Sequence, residues 1–89
     1  MIITSVKIYP FDTTEMGGMI LAFAEVVLDD VLLLKGIKVM EGKGGGLFIS
    51  YPSQKGKDNQ FHDLVVPLDE DLKKQIRRAV VDAFKASDL

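Results

Sequence analysis

The sequence predicts an α+β domain: a small antiparallel sheet of four to five strands with one C-terminal amphipathic α-helix. Three observations lead there. Branched apolar residues recur in short extended runs broken by turn residues through the first two thirds of the chain, as strands require. After Pro67 the apolar period lengthens to three and four, the spacing of a helix stripe. A lone helix must then bury that stripe on the neighbouring sheet, and 89 residues, 47% hydrophobic and 27% charged, suit a single domain spanning 1–89.

The first strand is expected over residues 2–9, where Ile2, Val6 and Ile8 alternate with Ile3, Ser5 and Lys7. Pro10 and the polar run Asp12, Thr13, Thr14 and Glu15 end it, and Gly17 and Gly18 lead back to an extended segment. Residues 19–28 and 31–40 are rich in branched apolar side chains and are divided by Asp29 and Asp30, which predicts a hairpin whose turn lacks the favoured glycine. Residues 41–46 form a glycine-rich turn, and a short strand over 47–51 stops at Pro52. The polar stretch 53–60 reads as an exposed flexible loop before a last strand over 61–66. Beyond Pro67, Leu72, Ile76, Ala79, Val80, Ala83 and Phe84 share one helical stripe running to about Ala86. Asp69 is placed to cap that helix, with Glu70 and Asp71 in the first turn where the dipole favours negative charge.

A domain this small buries only about 60–65% of the surface its unfolded chain exposes, so association with a second copy would relieve a marginal core. Without cysteine there is neither a disulfide framework nor a thiolate site. The apolar uncharged stretch at residues 16–24 is too short to span a bilayer, and no basic-then-apolar leader precedes it. A soluble, cytoplasmic protein with no membrane partner is expected.

Eleven bases against thirteen acids give a net charge of −2, which taken alone argues against a polyanionic partner. The charges are segregated, however. Residues 35–57 hold five Lys and one Glu, and residues 73–85 hold five bases and one Asp, with acidic segments around them. Lys73 and Arg77 are four apart, as are Lys74 and Arg78, and Lys85 follows Arg78 after seven, so the bases gather on the helix side opposite the stripe. Lys55 and Lys57 sit on the expected loop, and together the two elements could form one phosphate-binding surface.

Catalytic readings are weaker. The run Gly42-Lys43-Gly44-Gly45-Gly46 lacks the Gly-Lys-Ser/Thr ending and following helix of a phosphate-binding P-loop, and it reads as a tight turn. His62 stands beside Asp63 with Ser50 and Ser53 nearby, yet strand neighbours point to opposite faces and no nucleophile elbow is present. A surface histidine is the simpler reading. One His without Cys leaves only scattered carboxylates, with no metal-ligand spacing.

The ordered series Gly36-Ile37-Lys38-Val39-Met40-Glu41-Gly42, Gly46-Leu47-Phe48-Ile49, Pro52-Ser53, Phe61-His62-Asp63-Leu64 and Pro67-Leu68 resembles the central signature of the SpoVG family of septation and sporulation regulators. The likeness covers nearly the whole chain. It implies a homodimer that binds DNA or RNA in gene regulation, with no enzymatic activity, cofactor or small-molecule substrate. It associates nucleic-acid contact with the basic loop after Pro-Ser and with the helix, which here carry Lys55, Lys57, Lys73, Lys74, Arg77 and Arg78. Relative to the usual pattern, Gly36 replaces an acid, Gln54 and His62 replace bases, and Asn59 stands near a usual glycine, so this loop is less basic. Tyr51 and Phe61 would stack on unpaired bases only if they face outward, and for Phe61 a core or dimer-interface place is the stronger expectation. The alternative from another class is a protein-interaction module that uses a sheet edge or apolar surface.

Overall fold

The computed structural model describes residues 1–10 and 20–87. The expected polar loop, with Asp12 to Glu15, Gly17 and Gly18, and the start of the second strand at Met19 lie outside the described residues. Four strands, β1 (Ile3–Pro10), β2 (Ile20–Leu28), β3 (Leu32–Glu41) and β4 (Leu47–Ser50), form an antiparallel sheet in the order β1-β2-β3-β4. A separate two-stranded ribbon, β5 (Ser53–Lys55) with β6 (Phe61–Asp63), follows, and α1 (Glu70–Ala86) ends the chain.

Alternation decides which sheet face is covered. Ala22, Ala24, Val26 and Leu28 of β2 are buried, while the residues between them are half-buried. Their β3 partners Ile37 and Val39 are fully buried, as are Ile76 and Val80 of α1, so the helix lies across this face with its stripe inward. Ile3, Val6, Ile8, Ile49, Leu72 and Phe84 pack around that centre. The alanines keep the sheet surface low where the helix crosses, a close approach that larger side chains would prevent.

The β2–β3 turn works without glycine because Asp29 and Asp30 both take positive φ (53° and 57°), the pattern of a type I′ turn, which aspartate tolerates better than most residues. Leu28 C=O accepts the Val31 N–H at 3.0 Å, and the Asp29 carboxylate accepts the Ile2 N–H at 2.8 Å, tying the turn to the start of the chain. Further along, the β3 register shifts opposite Glu25, between the pairs Ala24–Ile37 and Val26–Leu34. Gly36 occupies this bulge at φ +82°, a conformation open to glycine and strained for a side chain.

The expected flexible loop over 53–60 is in part ordered structure. Ser53, Gln54 and Lys55 pair with Asp63, His62 and Phe61. Gly56 N–H donates to Gln60 C=O at 2.8 Å, Asn59 N–H donates to Gly56 C=O at 3.1 Å, and Asn59 turns the chain at φ 63°. Three polar residues carry no apolar alternation, so only the turn chemistry reveals this strand. The last strand is also shorter than expected, ending at Asp63 rather than 66. Phe61 is 71% exposed, which removes the core from its expected places and leaves the dimer interface.

The helix follows expectation closely. The Asp69 carboxylate accepts the Asp71 N–H at 2.8 Å, Glu70 and Asp71 sit in the first turn, and Lys85 lies in the last. No helix among the described residues is long and apolar enough to cross a membrane.

Candidate nucleic-acid interface

Because Ile76 and Val80 point into the sheet, the opposite side of α1 faces solvent. Lys74, Arg78 and Lys85 follow one another there at intervals of four and seven. Arg77 and Val81 lie nearer β4, and the Arg77 Nη2 donates at 3.5 Å to the Leu47 carbonyl, at the outer limit of a hydrogen bond. Between the helix and the β3–β4 turn opens a cleft of about 580 Å³. Gly45, Gly46 and Leu47 form one wall, and Lys74, Arg77, Arg78, Val81, Asp82 and Lys85 form the other.

The expected tight turn is present. Gly42 N–H donates to Gly46 C=O at 2.9 Å, Gly45 N–H donates to Gly42 C=O at 3.0 Å, and Gly45 adopts φ +82°. A Cβ built at Gly44 or Gly46 would meet nothing within 4 Å, so a chain of bulky groups can approach the backbone here without obstruction. The cleft thus joins four cations and the Asp82 carboxylate to a glycine wall, open at Gly46, with the Glu41 carboxylate 3.9 Å from where a Cβ would stand at Gly45. None of those four cations is in an ion pair among the described residues. Their field is therefore available to an external anion.

Of the six residues singled out in the sequence, Lys74, Arg77 and Arg78 line this cleft, whereas Lys55, Lys57 and Lys73 do not. Lys73 lies one turn before Arg77 and closer to the stripe. Lys55 and Lys57 belong to the exposed ribbon end. The basic block over 35–57 is in fact divided among three places: Lys35 and Lys38 in β3, Lys43 in the glycine turn, and Lys55 and Lys57 in the ribbon. Lys85 completes the cleft, and its spacing from Arg78 was the signal available for it. Nothing in the linear sequence brings Gly45 and Gly46 against the helix.

His62 is exposed on β6, and its Nε2 lies 3.1 and 3.2 Å from the two carboxylate oxygens of Asp58, not beside Asp63. The Gln60 amide and then His62 hold the Asp58 carboxyl below its ordinary range. This contact fastens the ribbon's turn. Tyr51 is buried under the sheet, and its hydroxyl finds no hydrogen-bond partner among the described residues. Burial, followed by the Asp63 charge, pushes its phenol upward. Among the described residues no three His, Asp or Glu side chains gather as metal ligands would.

The SpoVG family model matches residues 1–86. A protein of Fusobacterium nucleatum named as a SpoVG septation protein is 34% identical over 86 residues, covering 97% of this chain and 90% of the relative. Another of that name, from Archaeoglobus fulgidus, is 35% identical over 86 residues, covering 97% of this chain and 96% of its own. A third, from Symbiobacterium thermophilum, is 42% identical over 69 residues, 78% of this chain and 49% of the relative, so the match spans about half of that protein.

Proposed function

The chain belongs to the SpoVG family, and from that premise we propose that it is a non-catalytic, homodimeric DNA- or RNA-binding regulator acting in the cytoplasm on septation or sporulation. The cleft beside α1 carries the proposal: Lys74, Arg77, Arg78 and Lys85 face solvent unpaired across from a backbone wall at Gly45 and Gly46. Phosphates fit such a surface because cations neutralise them and release condensed counterions, while exposed glycine backbone lets the polymer approach closely. No bond is made or broken, and no cofactor takes part.

Dimerisation draws support from the segment that runs from β6 to α1. Phe61, Leu64, Val66 and Leu68 are all well exposed, Leu68 to 92%, a concentration of apolar side chains that a second copy would cover. Two clefts in one dimer would raise the affinity for a continuous nucleic acid through effective concentration. The same apolar residues support the second reading, a module that recruits another protein and uses its charges for solubility alone.

Labelled DNA and RNA titrated across a salt series distinguish the two. A regulator binds with an affinity that falls steeply as salt rises, and the double substitution Arg77→Glu/Arg78→Glu abolishes binding. Absent binding, or binding indifferent to salt, overturns the regulator in favour of the protein-recruiting module.

A further inference from the structure

Only one face of the four-stranded sheet is covered by the helix. Register places Ser5, Lys7 and Tyr9 of β1, Phe23, Glu25 and Val27 of β2, and Lys38 of β3 on the other. Phe48 of β4 pairs with Met40 on that same face, and Ser50 pairs with Lys38. One row across the strands therefore reads Tyr9-Phe23-Lys38-Ser50, flanked by Lys7 opposite Glu25 on one side and by Met40 opposite Phe48 on the other.

We infer that this face, opposite the helix and without a second layer among the described residues, is a second binding site, a stacking platform for single-stranded nucleic acid separate from the cleft beside α1. The chemistry is that of aromatic rings interleaved with cations. Tyr9 is 43% exposed and Phe48 38% exposed, with Phe23 half-buried between their strands. The Tyr9 hydroxyl donates to the Glu25 carboxylate at 3.3 Å, which anchors the far end of the ring over the sheet. Lys35 Nζ lies 3.9 Å from the other Glu25 oxygen and offsets that charge, leaving Lys7 and Lys38 in excess among the described residues of the face. Tyr9 and Phe48 are three strand spacings apart, roughly 14 Å across the sheet, so an unpaired strand can lay successive bases between them. A duplex cannot use these rings, since its bases are already stacked and paired.

Charge selects this occupant over a second copy of the chain. Two such faces brought together would oppose lysine excess to lysine excess, whereas a polyanion is drawn to it. The apolar segment with Phe61, Leu64, Val66 and Leu68 offers a self-association surface without that repulsion.

The test uses the full chain with Tyr51→Phe as background, which leaves Tyr9 as the sole tyrosine in a protein without tryptophan. Oligouridylate is titrated while Tyr9 emission is followed, and an RNA duplex of equal length is titrated in parallel. Stacking quenches Tyr9 on binding of the single strand. Phe48→Leu, and Tyr9→Leu read by anisotropy of labelled oligouridylate, each weaken single-strand binding by about tenfold or more and leave duplex affinity unchanged. Lys38→Gln, which removes no ring, weakens the single strand and steadies the conclusion should a ring substitution disturb folding, monitored by circular dichroism. Unquenched Tyr9 with oligouridylate bound, unchanged affinity in the ring variants, or a loss of dimer mass in them overturns the platform. Loss of duplex binding with Tyr9 quenching intact overturns the cleft alone.

Discussion

Replacing Arg77 and Arg78 together by glutamine removes two of the four cations lining the cleft while keeping a polar side chain and a helix propensity near that of arginine. If each cation meets one phosphate, duplex affinity should change with salt at a logarithmic slope of about −0.9 per contact, or about −3.6 for one cleft. Doubling the salt from about 0.1 to about 0.2 M then weakens wild-type binding by about twelvefold, and by about 3.5-fold in the variant, whose slope falls to about −1.8. A dimer engaging both clefts on one duplex doubles these slopes, to about −7 and about −3.6. Fluorescence anisotropy of a labelled duplex, plotted as logarithm of affinity against logarithm of potassium chloride, reads both numbers directly. Lys73→Gln is the internal control, because Lys73 does not line the cleft and its loss should leave the slope near the wild-type value. Equal slopes in wild type and Arg77→Gln/Arg78→Gln would refute the cleft as the phosphate site. A Lys73→Gln slope that falls as far as that of the double variant would show instead that the cations act as a diffuse field.

Three further predictions concern the framework that holds these surfaces. Tyr51→Phe removes a buried hydroxyl without a partner, so it should stabilise the protein by about 1 kcal/mol in urea titration. It should also flatten the alkaline limb: the folded phenol is raised, so its contribution is present below pH ~10, the unfolded value, and is lost as pH rises through the folded one. Gly36→Ala places a side chain at φ +82° with its Cβ 3.4 Å from that of Pro52, and should cost about 1–2 kcal/mol, with Gly36→Asn costing less; thermal melts rank the two. Asp69→Ala removes the cap bond to Asp71 N–H and should cost about 1 kcal/mol by the same melts, fraying the end of α1 that precedes Lys74.

What the sequence made legible followed the strength of its periodicity. Ala22, Ala24, Val26 and Leu28 alternate over a whole strand, and the stripe from Leu72 to Phe84 spans more than three turns, so β2 and α1 lie close to their expected positions. Of the ribbon, β6 was expected but β5 was not legible, because Ser53, Gln54 and Lys55 bury almost nothing and are held by backbone pairing around Asp58, Asn59 and Gln60. The site divides along the same line. Lys74, Arg77 and Arg78 share a surface through local helix geometry, which spacing encodes. Lys35, Lys38, Lys43, Lys55 and Lys57 are neighbours only along the chain, and the sheet, the glycine turn and the ribbon carry them to different places. The wall at Gly45 and Gly46 depends on the angle at which α1 crosses the sheet, a tertiary quantity that no local pattern states.

That crossing also separates stability from binding. The molecule measures 39 × 35 × 22 Å, thin enough for one helix layer on one sheet layer, and the largest fully buried side chains among the described residues are Ile37, Ile76, Val26, Val39 and Val80. Truncating one of them, as in Ile76→Ala, would cost about 2–5 kcal/mol, a large share of what so small a core supplies. The cations of the cleft occupy the opposite side of the same helix, exposed and unpaired, where a neutral substitution normally changes stability by no more than about 0.5 kcal/mol. Phe48 and Lys38 likewise lie on the sheet face away from the helix. Both candidate surfaces can therefore be altered without touching the packing between α1 and the sheet, and a loss of binding in Arg77→Gln/Arg78→Gln with an unchanged melting temperature is attributable to charge at the cleft.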